Sequence, residues 1–91
     1  EQQAEKAYET AYLAFKSNAF DVALQACQQI RINYPGSKSE DKIVFLSALC
    51  QAGLKNTADY LKTLKQFVQL FPMSPLKLEA EARINAIPKN K

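Results

Sequence analysis

Two thiols, Cys27 and Cys50, and two acidic doublets, Glu40 with Asp41 and Glu79 with Glu81, are the residues whose types invite a chemical reading of this chain. Cysteine pairs make disulfides or metal sites, and convergent carboxylates do general acid–base work. The spacing supports neither. No CxxC pair occurs, and histidine is absent, which removes the commonest general base and metal ligand near neutral pH. Both thiols fall on apolar stripes of neighbouring antiparallel helices, where a free cysteine acts as a small hydrophobe. An oxidising compartment would permit a bridge if the alpha carbons came within about 7 Å. Cys27 stands eight residues before Pro35 and Cys50 fifteen after it, an axial mismatch that counts against one. The acidic doublets sit at adjacent or next-nearest positions, which point to different sides of a helix. They read as first-turn charges and solvated faces. With only Gly36 and Gly53 as glycines, no phosphate loop is available. The expectation is a chain with no catalytic residue, no cofactor and no metal.

What remains is a surface, and the elements that would carry it are helices. Ninety-one residues suit one small domain, and 47% hydrophobic against 23% charged residues fits a globular core. Ala, Leu, Gln, Lys and Glu, which lose least on entering a helix, dominate beside only two glycines and four prolines, so an all-helical domain is expected. The charge of +3 is uneven: residues 1–45 carry five basic and six acidic side chains, residues 46–91 seven and three. No tight basic cluster tracks a phosphate backbone, so no nucleic-acid partner is expected. No apolar run reaches the length of a membrane span, so no direct membrane insertion by this segment is expected either.

Apolar residues at three-and-four spacing predict five helices. The first carries Ala4, Ala7, Tyr8, Ala11, Tyr12 and Phe15 and runs to about Lys16. Asn18 is read as the cap of a second, whose inward residues are Val22, Ala23, Ala26, Cys27, Ile30 and Tyr34, with Pro35 and Gly36 as its stop. Ser37 or Ser39 caps the third, with a stripe of Ile43, Val44, Leu46, Ala48, Leu49 and Cys50, Phe45 on its flank and Gly53 at its end. Asn56 opens the fourth, with Tyr60, Leu61, Leu64, Phe67, Val68 and Phe71 buried and Pro72 as its stop. Ser74 caps the fifth, with Pro75 at its first position and Leu76, Leu78, Ala80, Ala82, Ile84 and Ile87 as its apolar residues. A polar tail follows from Pro88.

Sliding the sequence by 37 residues pairs Tyr8 with Phe45, Ala11 with Ala48, Leu24 with Leu61, Cys27 with Leu64, Ile30 with Phe67, Tyr34 with Phe71, Pro35 with Pro72 and Ser37 with Ser74. The two asparagines read as caps are 38 apart, which leaves the register open by one. A helix pair recurring at 34 residues or slightly more marks a solenoid.

This pattern resembles the tetratricopeptide (TPR) class. The family's small, early-alanine, apolar and proline positions look filled by Ala11, Ala23, Cys27 with Ile30, and Pro35, then by Ala48, Tyr60, Leu64 with Phe67, and Pro72. The departures are the missing tryptophan, Tyr60 in place of an alanine and about three added residues between repeats, and they make the second pair the less standard. The resemblance implies an all-α, TPR-like α-α solenoid of two helix hairpins plus a C-terminal capping helix. The expected organisation is one domain over 1–91, with repeat one about 4–36, repeat two about 39–73, a capping helix about 75–87 and a polar tail 88–91.

The wording of the blocks YETAY (8–12), FDVAL (20–24), YPGS (34–37), FLSAL (45–49) and FPMSP (71–75) is similar to that in bacterial cell-envelope lipoproteins. The likeness is to the Bacteroidetes gliding-motility and type IX secretion type, and less closely to the outer-membrane assembly lipoprotein. It implies a periplasm-facing scaffold, possible outer-membrane anchoring through an upstream lipoprotein signal, and a part in secretion, motility or assembly.

In helix-pair solenoids the first helices of successive pairs line a concave face. Tyr8, Tyr12, Phe15 and Lys16 with Phe45, Leu49 and Ala52 are therefore the candidate groove for a protein or peptide partner, aromatics as anchors and lysine at the rim. The competing reading is that Tyr8, Phe45 and Leu49 are ordinary core and that Tyr12 or Phe15 packs on another repeat. In that case the chain is a structural spacer or self-association segment of a larger repeat protein.

Overall fold

Helices α1 (Gln2–Lys16), α2 (Phe20–Asn33), α3 (Glu40–Gly53), α4 (Thr57–Leu70) and α5 (Lys77–Ala86) follow one another in a computed structural model that describes residues 2–87. The polar tail expected at 88–91 lies outside the described residues. Each helix packs on the next in the chain, and α3, held between α2 and α4, also touches α1. The result is an all-α solenoid of two hairpins closed by a fifth helix. Its thinnest dimension of 18 Å matches two helix layers at about 9–10 Å each.

The repeat is kept by backbone events. Helices α2 and α4 start 37 residues apart, at Phe20 and Thr57, and so do α3 and α5, at Glu40 and Lys77. Helix α1 closes on Asn18, which takes a left-handed φ of 66°, and α3 closes on Lys55 at 65°. The bonds around these residues recur in kind: Ala19 N donates to Ala14 O, and Asn56 N to Gln51 O, both at 2.9 Å. Such six-to-one bonds past a left-handed residue end a helix by satisfying carbonyls that have lost their partners. Hairpins end alike too, with Tyr34 N on Ile30 O and Phe71 N on Phe67 O at 2.8 Å.

Several expectations are corrected. Asn18 terminates α1 and does not cap α2; Ala19 holds that position. The register is 37 throughout, because Asn18 corresponds to Lys55 and Ala19 to Asn56. Ser39 precedes α3 without a capping side-chain bond, and the Ser37 hydroxyl, buried, has no partner among the described residues. Asn56 stands at the start of α4, yet its amide donates to the Asp59 carboxylate at 2.7 Å instead of capping the backbone. Helix α5 begins at Lys77, two residues after Pro75, because Ser74 first closes a turn: its hydroxyl accepts from Leu76 N at 3.1 Å. Val22 and Leu78 face solvent, 55% and 77% exposed, and Ala82 is exposed as well. Phe45, expected on a flank, is buried.

Two apolar clusters result. Ala11, Ala23, Cys27 and Ile30 meet Ile43, Leu46 and Cys50 of α3 in the first. The other side of α3 brings Val44, Phe45 and Ala48 to Leu64, Phe67 and Ala80 in the second. Gly53 is required by close approach: a Cβ there would lie 2.7 Å from ring atoms of Phe20, which packs across from the start of α2.

Candidate functional site

Residues one helical turn apart share a face, so α1 presents Tyr8 with Tyr12 and α3 presents Phe45 with Leu49. The two tyrosine rings stack with centroids 6.1 Å apart. Between these helices runs a groove of about 430 Å³, lined by those four residues together with Asp41, Lys42 and Leu46 of α3 and Pro75 and Leu76 ahead of α5. Its walls are apolar apart from Asp41 and Lys42. The floor is stiff: Phe45 meets Phe67 edge-on at 5.6 Å, and Phe67 meets Phe71 at 5.3 Å.

Of the seven candidates, Tyr8, Tyr12, Phe45 and Leu49 line one groove. Phe15 turns its ring to Phe20, edge-on at 5.6 Å, and packs against the first cluster beside Tyr12. The Lys16 ammonium lies 5.7 Å from the centre of the Tyr12 ring, so it marks the rim as a cation over a π face. Ala52 is elsewhere. It lines a separate pocket of about 340 Å³ with Thr57, Tyr60, Arg83, Ala86 and Ile87.

Asp41, Lys42 and Leu46 line the groove outside the seven candidates, although 42, 45, 46 and 49 form one three-and-four stripe. Pro75 and Leu76 were hidden by being read as helix. Arg83 gave no signal of its own: its guanidinium lies 5.6 Å from the Phe45 ring centre, bonds Glu79 at 3.1 and 3.2 Å, and donates to the Tyr60 hydroxyl at 3.4 Å. The Tyr60 bond and, less strongly, Glu79 raise its pKa against the opposing effect of burial.

Burial, then the neighbouring Tyr12, Cys27 and Asp41, raises the pKa of Tyr8. Its hydroxyl therefore stays protonated and offers the groove a donor as well as an acceptor. Cys27 and Cys50 are free, buried and in the first cluster. Burial pushes both upward, Cys50 to about 12, so both are protonated and poorly nucleophilic at neutral pH. Among the described residues no three histidine, cysteine or acidic side chains converge as a metal site. No described helix is long and apolar enough to cross a membrane.

Residues 44–74 match the tetratricopeptide repeat family model. The match covers most of α3, all of α4 and the start of the following joint, the very pair whose Tyr60 looked least standard. With five helices and consecutive packing, it supports a TPR domain and a TPR-like all-α solenoid. Repeats of this family generally mediate protein–protein interaction, and such domains are typically non-catalytic. No curated protein matches the chain.

Proposed function

We propose that this domain is a non-catalytic receptor for a segment of a partner protein, seated in the groove between α1 and α3. The observation that carries this reading is the groove itself, with Tyr8 and Tyr12 facing Phe45 and Leu49 over a floor already fixed by Phe67. A pre-formed apolar trough spares the receptor the ordering cost of binding, and tyrosines at its rim supply anchors with a polar end. The similarity of the joint and helix blocks to cell-envelope lipoproteins extends the proposal to a periplasm-facing scaffold in a secretion, motility or outer-membrane assembly machine.

The spacer alternative requires the outer face of α1 to stack on further repeats. Helix α3 packs on α2 through Ile43, Leu46 and Cys50, and the corresponding residues of α1 are Lys6, Glu9 and Leu13, all exposed, so that two of the three positions carry a charge. Burying those charges against another helix would carry a desolvation cost, which favours the receptor. Tyr12 is 40% exposed, so Tyr12→Ala leaves the core intact. Affinity capture from the source cell's envelope fraction, followed by titration of the identified partner, should show at least about tenfold weaker binding for that variant. Unchanged affinity in the folded variant would remove the groove from the mechanism, and concentration-dependent self-association without capture would favour the spacer.

A further inference from the structure

The groove has one wall that is not helix. Pro75 and Leu76 belong to the joint before α5, and the joint turns on Ser74: Ser74 N donates to Phe71 O at 3.1 Å and Lys77 N donates to Ser74 O at 3.0 Å. The Ser74 hydroxyl adds two bonds, accepting from Leu76 N at 3.1 Å and donating to Asp41 Oδ2 at 2.7 Å. The other carboxylate oxygen of Asp41 accepts from Lys42 N at 2.8 Å, which fixes the group on the first turn of α3. Asp41 lines the groove on one side and a pocket of about 310 Å³ with Ser74 and Met73 on the other, and so forms the partition between them. In the first joint Ser37 corresponds to Ser74, but Ala4 corresponds to Asp41, and the Ser37 hydroxyl is left without a partner among the described residues. The contact therefore belongs to the joint that walls the groove and is not a feature of the repeat.

Resting on the receptor reading of the same groove, we infer that Asp41 and Ser74 form a latch that positions the Pro75–Leu76 wall and thereby sets the groove's width. A charge-assisted hydrogen bond of this length is stronger than a neutral one, and it ties a six-residue joint to a helix held on both sides. Asp41 acts here as a positioning residue: its effect on a partner passes through Leu76.

Amide hydrogen exchange and side-chain NMR on the whole chain test this without a partner. Asp41→Ala and Ser74→Ala should each speed exchange at Leu76 about tenfold and move the Leu76 methyl and Phe45 ring resonances, while amides from Leu46 to Cys50 keep their rates. The double variant should be no faster than either single one, and Asp41→Asn, which retains an acceptor oxygen without the charge, should fall between the parent and Asp41→Ala. Unchanged exchange at Leu76, fixed resonances of Leu76 and Phe45, or acceleration spread evenly over the chain would each overturn the latch. Failure of the receptor reading shows separately, as partner binding that ignores Tyr12→Ala.

Discussion

Where the first helix pair brings Ala23, Cys27 and Ile30 to its core, the second brings Tyr60, Leu64 and Phe67 to the same places 37 residues on. The backbone treats the pairs alike, with the same left-handed residue, the same hairpin closure and the same helix starts. The difference in volume decides where a groove can be supported. Phe67 meets Phe45 edge-on and packs against Phe71, giving the second pair an aromatic floor, and the smaller residues of the first pair leave α1 to supply the rim. Repeat geometry and the lining of the groove are thus set by different residues.

The most forceful way to break this comparison is to remove both floors. Phe67 is fully buried and Ile30 nearly so. Truncating a buried phenylalanine to alanine costs about 3–5 kcal/mol and a buried isoleucine about 2–5. Against a total of roughly 5–15 kcal/mol for a small domain, Phe67→Ala should come close to unfolding the chain. Urea denaturation should therefore give a lower midpoint for Phe67→Ala than for Ile30→Ala. Equal midpoints would mean that the aromatic floor shapes the groove without dominating the fold.

The sequence disclosed the helices because their apolar faces recur at three and four, and disclosed the repeat because buried positions tolerate only apolar types. It misled where residue type and backbone role part company. Asparagine is common both as an N-cap and in the left-handed region, so Asn18 and Asn56 looked equivalent although only Asn18 is left-handed. Lysine at position 55 carries no left-handed signal at all. Ser74 and Pro75 fit a helix start equally well, and only the bond to Asp41, 33 residues away in sequence, shows the segment held as a wall. Four of the nine groove residues, Tyr8, Tyr12, Phe45 and Leu49, were readable from helical stripes; the joint, held by a long-range contact, was not.

A sharper comparison sets Ser74 against Ser37. Both occupy the same joint position, but the hydroxyl of the first bonds Asp41 and Leu76, and that of the second has no partner among the described residues. Ser74→Ala should lose about 1–2 kcal/mol, since a hydroxyl bound to a carboxylate is worth more than a neutral pair and its removal strands Asp41. Ser37→Ala removes a buried hydroxyl that already lacks compensation, so its thermal midpoint should hold or rise. If both variants lose the same stability, the two joints are energetically alike and the absence of an acceptor at Ala4 has no consequence.

The smallest effect tests the register itself. Lys55 pays the steric penalty of an L-residue at a φ of 65°, about 1–2 kcal/mol, and asparagine at 66° pays less because its short polar side chain suits that region. Glycine removes the penalty at either place but adds conformational freedom to the unfolded chain, at about 0.5–1 kcal/mol. Lys55→Gly should therefore gain about 0.5–1 kcal/mol by these terms, while Asn18→Gly stays near zero. Asn56→Gly provides the contrast, since Asn56 has a negative φ and its amide bonds Asp59. Glycine there should give no gain. A gain at position 56 with none at 55 would mean that the second turn is a residue longer than the first, and the 37-residue equivalence of Asn18 with Lys55 would fall with it.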